Sequence, residues 1–271
     1  MTTYLLDQLT VRHLAGDQAP ALHAISLVVE QGEQLAVIGP SGAGKTTLLA
    51  TLACAHQPAS GKLVVLGQNP WALDQAARHR LRAQLFLAPQ SPPLPPRQRV
   101  VTAVLAARLP HWSLWQALAS LIKPADPEAA FDALARFGLG DKLYARVDRL
   151  SGGERQRCGL ARLLLSQAQA FLVDEPLSAL DPTLAHMTLM TLQQAAAARN
   201  ATLICSLHQV DMARAHFARI VGLRDGRIVF DAPRADVSDD MITALYQNEE
   251  IITPAPVQHE TPERLAVGAC F

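Results

Sequence analysis

The sequence predicts an α/β fold: a mostly parallel sheet, an N-terminal antiparallel β portion and a helical subdomain inserted into it. Three observations predict this. Apolar strand-like segments alternate with helical patterns up to residue 90 and again from residue 169, the rhythm of a parallel sheet with crossover helices. Residues 3–38 instead carry YLLDQLTV, ISLVVE and QLAVIG, separated by the turn-rich AGDQAP and QGE. Residues 91–168 have mainly helical composition, broken near HWS, at KPADP and around Gly138 and Gly140.

Taken in order, GPSGAGKTTLLATLA passes from a glycine loop into a helix. GKLVVLG reads as a short strand or hairpin and DQAARHRLRAQL as a helix. LFLAPQ is a buried strand ending at the loop SPPLPPRQR. After the helical block come the strand AFLVDEP, a helix over 182–198, the strand ATLICSLH, a further helix, IVGLRDGRIVFDA and a last helix over 238–247. Residues 248–271 lack periodicity and are expected to be loosely ordered. The expected organisation is one domain over 3–247, with 3–90 and 169–247 as its core and 91–168 inserted.

Lysine plus arginine equals aspartate plus glutamate, 24 each. A net charge of zero argues against broad nucleic-acid binding, and nucleic acid is not expected as a partner. No apolar run reaches the ~18 residues a membrane span requires, and MTTYLLDQLTVRH lacks the basic region and long apolar stretch of a signal peptide. The cysteines at 54, 158, 205 and 270 form no CxxC pair. These features describe a soluble, cytoplasmic, reduced protein.

Gly39, Pro40, Ser41, Gly42, Ala43, Gly44, Lys45 and Thr46 fit GxxxxGK[ST] at every fixed position, with Thr47 following, between a strand and a helix. Glycines let successive backbone N–H groups turn inward around phosphates, and the helix N-terminus adds its positive dipole end. Lys45 can reach the β- and γ-phosphates, and the Thr46 hydroxyl can ligate Mg2+. The core is therefore a P-loop NTPase core, and the chain is expected to bind a nucleoside triphosphate.

The apolar strand AFLVDEP delivers Asp174 and Glu175 to its C-terminal end, where open α/β sheets place their ligands. Alone, such a pair is often a solvated strand end. Beside a phosphate loop, Asp174 has the position to hold Mg2+ through its water shell. Glu175 would face the γ-phosphate and polarise the attacking water.

LSGGERQR at 150–157 opens a helix with a capping box, Ser151 with Glu154 three places on. Its first turn carries Gly152 and Gly153, each costing roughly 1 kcal/mol against alanine in a helix interior. Capping explains the serine and the glutamate but not the glycines.

With these motifs in place, residues 3–247 resemble the ATP-binding subunit of ABC transporters. The resemblance rests on LSGGERQR ahead of FLVDEP, then SALD at 178–181 and a histidine after the next strand. It implies an ATPase that uses ATP and Mg2+. Two subunits, expected as a homodimer, sandwich ATP head to tail, and Ser151, Gly152 and Gly153 touch the γ-phosphate held by the partner. On this reading only the phosphate role explains both glycines. The resemblance also makes Gln90 the residue that senses Mg2+ and γ-phosphate, so that the metal set is Thr46, Gln90 and Asp174. It makes His208 the switch histidine on the γ-phosphate and Asp181 the aspartate that communicates across the dimer. Without the family, Asp181 reads as an N-cap ahead of Pro182, and Gln90 and His208 as ordinary strand-end residues.

Three features depart from the family pattern. His13 stands where an aromatic ring usually stacks on adenine, and Glu154 stands where glutamine is more usual. The loop after Gln90 is rich in proline, which stiffens it.

The chain carries one cassette and no long coiled coil, unlike the chromosome-maintenance, repair and translation members. RLPHWSLWQALASLIKPADPEAAFDALARFGLGDKLYARVDRLSGGERQR is similar to phosphonate importer ATPases. The resemblance implies separate membrane permease subunits, indirectly a substrate-binding protein, and a peripheral place on the cytoplasmic face of the inner membrane. The alternative from another class is a soluble regulatory or assembly ATPase acting on a protein partner without a permease.

Overall fold

The computed structural model describes residues 1–12 and 20–247; His13 and the stretch 248–271 lie outside the described residues. The chain begins with β1 (Thr2–Val11), β2 (Leu22–Glu30), β3 (Gln34–Ile38), α1 (Lys45–Leu52), β4 (Ser60–Val65), α2 (Gln75–Arg82) and β5 (Leu85–Ala88). The helical block follows as α3 (Val100–Leu105), α4 (Leu114–Ile122), α5 (Pro127–Ala135) and α6 (Gly152–Leu165). The chain then returns through β6 (Ala170–Asp174), α7 (Pro182–Ala197), β7 (Thr202–Leu207), α8 (Val210–His216), β8 (Arg219–Arg224), β9 (Arg227–Pro233) and α9 (Asp239–Tyr246).

The strands form two sheets, β2-β1-β4 and β5-β6-β7-β3-β8-β9. The first is antiparallel. The second is parallel from β5 to β8, with β9 turning back against β8. The segment GKLVVLG pairs along β1 in the antiparallel sheet, closed by a Val65–Gln68 bridge.

The central strands β3, β6, β7 and β8 of the larger sheet are buried on both faces, which is why they read as continuous apolar runs. Along β3, Leu35 and Val37 enter one core with Leu48, Leu49 and Leu52 of α1 and with Tyr4, Leu27 and Val65 of the antiparallel sheet. Ala36 and Ile38 enter the other with Leu134, Leu160, Phe171 and Leu189. Cys54, Cys158 and Cys205 are buried. Burial pushes the Cys54 thiol up to about 11 and that of Cys158 to about 12. These thiols stay protonated and serve as packing.

Helix starts follow the sequence cues. Asp74, Ser113, Asp126, Asp181 and Ser238 each cap a helix through a side-chain oxygen. The proline-rich loop lies on α6: a Cβ at Gly159 would stand 2.6 Å from Cβ of Pro92. A glycine inside this helix is therefore a notch for the loop that follows Gln90.

Strand order positions the site. β7 lies between β6 and β3, so the loops leaving β3, β6 and β7 emerge side by side. They carry the glycine loop, Asp174 with Glu175, and His208.

Candidate active site

Between β3 and α1 the backbone enters the left-handed region at Gly39 (φ 154°), Gly42 (78°) and Gly44 (101°). A Cβ at residue 39 would stand 1.9 Å from the Leu223 carbonyl oxygen, and one at residue 44 would stand 2.9 Å from that of Ala21. Only glycine fits either place. Lys45 is buried and folds its Nζ back to donate to Gly39 O (2.7 Å) and Pro40 O (2.9 Å), which holds the ammonium inside the loop. No side chain caps the N-terminus of α1 and its first turn carries no acid. Its first N–H groups and its dipole are thus directed at the loop. A cleft of about 440 Å³ opens here, lined by residues 41–47, Ala21, Gln90, Glu175 and His208. Loop amides, ammonium and helix end together form an anion cradle.

Register builds the acidic side. Asp174 of β6 pairs with Ser206 of β7, which pairs with Val37 of β3. Ser206 Oγ donates to Asp174 Oδ1 (2.5 Å), while Thr46 Oγ1 donates to Asp174 Oδ2 (2.8 Å). The Glu175 N–H donates to the same Ser206 Oγ (2.9 Å).

Glu175 itself sits at φ 46°, a conformation that non-glycine residues rarely adopt and that surrounding contacts must enforce. Four contacts do so. Ser206 takes its N–H, and Gln156 Nε2 donates to its carbonyl (2.7 Å). Gln90 Nε2 donates to Oε2 (2.7 Å), and His208 Nε2 lies 2.6 Å from Oε1.

Ser206 and Gln156 were not among the residues the sequence singled out. Each left a signal: a hydroxyl in the apolar strand TLICSL, and an amide on the α6 face that carries Leu160 and Leu163. Buried polar groups on apolar faces need partners.

The donors around Thr46 suit Mg2+. A hydroxyl, the Asp174 carboxylate and the Gln90 amide are hard ligands. Among the described residues no group of three or more His, Cys, Asp or Glu could hold a metal.

Ser151 and Glu154 form the expected capping box. The Ser151 N–H donates to Glu154 Oε2 (2.7 Å), and the Glu154 N–H donates to Ser151 Oγ (3.2 Å). The Ser151 N–H holds the Glu154 carboxyl below its usual range. The two glycines behind the cap differ. A Cβ at Gly152 would meet nothing within 4 Å, whereas one at Gly153 would stand 2.8 Å from Ala179 O. This corrects the expectation that only a phosphate role explains both: Gly153 is required by packing against its own chain. Asp181 accepts from the Leu184 N–H (3.0 Å) as N-cap of α7. Ser151, Gly152, Gly153 and Asp181 are not among the residues that line the phosphate cleft of their own chain. The structure thus gathers Lys45, Thr46, Asp174, Glu175, Gln90 and His208 at one place and leaves the signature apart.

Residues 22–178 match the family model described as ABC transporter. The chain belongs to the ABC transporter family. It is 59% identical to phosphonates import ATP-binding protein PhnC 2 of Albidiferax ferrireducens, over 89% of this chain and 88% of that protein. It is 56% identical to PhnC of a Polaromonas species, over 95% and 94%, and 52% identical to PhnC of Pseudomonas fluorescens, over 99% and 100%. The fold is similar to that of the ATP-binding cassette MJ0796 in a dimeric state bound to ADP and Pi, with a TM-score of 0.74 at 23% identity. That match covers 85% of this chain and 98% of that one. Membership in the ABC family makes this chain an ATP-binding, ATP-hydrolysing component of transport, one that pairs with a second ATPase chain and with membrane permease chains. Among the described residues no helix is long and apolar enough to cross a membrane.

Proposed function

We propose that this chain powers the import of phosphonates, working as a pair of copies on the cytoplasmic face of the inner membrane, with cargo delivered by a substrate-binding protein. The names and high identities of the phosphonates-import relatives support the cargo. One observation carries the catalytic part: Glu175 lines the same cleft as Lys45 and Thr46, on the strand end whose Asp174 bonds Thr46.

In the proposed mechanism, residues 39–47 and Lys45 bind the β- and γ-phosphates of ATP. Thr46, Asp174 and Gln90 would hold Mg2+, which when bound neutralises phosphate charge. Glu175 accepts a proton from water as its oxygen bonds to the γ-phosphorus. The β–γ bridging P–O bond breaks, and ADP and phosphate leave. Both Glu175 oxygens are engaged by Gln90 and His208. Each oxygen keeps a further lone pair for the attacking water. A γ-phosphate offers Gln90 and His208 a second acceptor, so bound ATP competes with Glu175 for both side chains. Ser151, Gly152 and Gly153 of the second copy face that phosphate, and Asp181 reports across the interface.

The second reading, a soluble regulatory or assembly ATPase acting on a protein partner without a permease, is disfavoured by the phosphonates-import relatives, and under the importer reading α4 is the surface that meets the permease. That helix buries only Ser120 and exposes Leu114, Trp115, Leu118, Leu121 and Ile122. Residues 112–122 carry no charge. A contiguous apolar patch marks a protein contact, and we assign it to the permease.

Three measurements follow. Glu175→Gln should still bind ATP and accumulate an ATP-locked dimer, with hydrolysis reduced at least about 100-fold; near-parental turnover would move the base elsewhere. His13 is proposed to stack on adenine. His13→Ala should then weaken ATP binding by about 1 kcal/mol, while His13→Tyr retains it; parental affinity in both variants would remove the role. Trp115→Glu with Leu118→Glu should abolish co-purification with the permease while the isolated chain hydrolyses ATP at the parental rate. Retained association would place the permease on another face.

A further inference from the structure

The first two turns of α6 face two ways. At the front, Ser151 and Gly152 are exposed, and beyond its own helix no described residue comes within 4 Å of a Cβ built on Gly152. At the back, the helix is seated on the segment that follows β6. Gly153 abuts Ala179 O. Gln156 is buried, and its Nε2 donates to Glu175 O (2.7 Å) and to Ser178 Oγ (3.2 Å). Gln156 Oε1 has no partner among the described residues, so this side chain acts as a donor and is committed to that segment. Gln156 lies five positions beyond Ser151, about 7.5 Å along a stiff helix.

We propose that Gln156 is a positioning residue acting within its own chain: it fixes the left-handed backbone of Glu175, and thereby ties the signature that reads the partner's nucleotide to the base of the chain's own site. The inference rests on the roles proposed above for Glu175 and Ser151 and assigns the link between them. Its physical basis is that φ 46° at a glutamate persists only where neighbours enforce it. Ser206 secures the residue's N–H and Gln156 its carbonyl, so the peptide groups on either side of the Glu175 Cα are both anchored. Removing the Gln156 donor frees one of them, and the carboxylate loses its aim without losing its partners. Because the same helix carries Ser151 at its cap, closure of the partner's nucleotide on Ser151 and Gly152 pushes on a body that already grips Glu175. Each site's base is thereby held by the helix that completes the other site.

The test separates aim from assembly. Gln156→Met keeps length and apolar packing without a donor, and Gln156→Glu keeps the outline with an acceptor in its place. Each is made in the parental background, where steady-state hydrolysis is measured. Each is also made in the Glu175→Gln background, where ATP-dependent dimer formation is measured by size-exclusion chromatography. Binding of a fluorescent ATP analogue to the single chain checks that each variant is folded. The expected result is a fall in kcat of roughly tenfold or more, with KM for ATP within about twofold and dimer formation in the Glu175→Gln background retained. Loss of dimer formation alongside hydrolysis would overturn the proposal, since Gln156 would then serve only to build the signature. Parental kcat in both variants would overturn it as well. Failure of the underlying reading shows elsewhere, as turnover by Glu175→Gln itself.

Discussion

The hydrogen-bonded line from Thr46 through Asp174 to Ser206 ties together the three loops on which the site depends. It runs from the first turn of α1 across the end of β6 to β7. Its two bonds lock the phosphate loop to the acidic strand end. Such a line requires β6, β7 and β3 to stand abreast in one register, because a slip of one residue would turn Ser206 to the opposite face of the sheet. The register is in turn enforced by two apolar cores, one on each side. Hydrophobic burial fixes the strands, the strands fix the carboxylates, and the carboxylates define where phosphate and metal can sit.

How far the sequence shows this depends on the range of each determinant. The glycine loop was legible throughout, since left-handed backbone and a following lysine are local requirements. The capping box at Ser151, the mostly parallel sheet and the breaks in the helical block were legible from local patterns as well. Ser206 and Gln156 were not, because each earns its role through a partner set by strand register or helix docking. Gly153 shows the opposite error. A local anomaly was attributed wholly to a partner's phosphate, although Ala179 of the same chain excludes a side chain there. At Gly152 no described neighbour excludes a side chain, and its contact with a partner's phosphate remains the proposal.

Glu175 concentrates these constraints. It is held at an uncommon backbone conformation by four contacts from three segments: Gln90 after β5, Gln156 of α6, and Ser206 with His208 at the end of β7. Such over-determination keeps strain in place, and it ties the proposed base to several parts of the fold at once. Gln90 and His208 bind its carboxylate where a γ-phosphate would compete for them. Gln156 and Ser206 bind its backbone from the fold's interior.

The central claim is that one chain holds an incomplete site, finished by the signature of a second copy. The most direct measurement uses a defined heterodimer of one Lys45→Ala chain and one Ser151→Arg chain. Each homodimer carries a defect in both of its composite sites. In the mixture one composite site holds both defects, and the other pairs an intact phosphate loop with an intact signature. ATP-dependent closure, read as distance change between labels on the two chains, is predicted in the heterodimer and in neither homodimer. A defined heterodimer that shows no ATP-dependent closure would contradict the account.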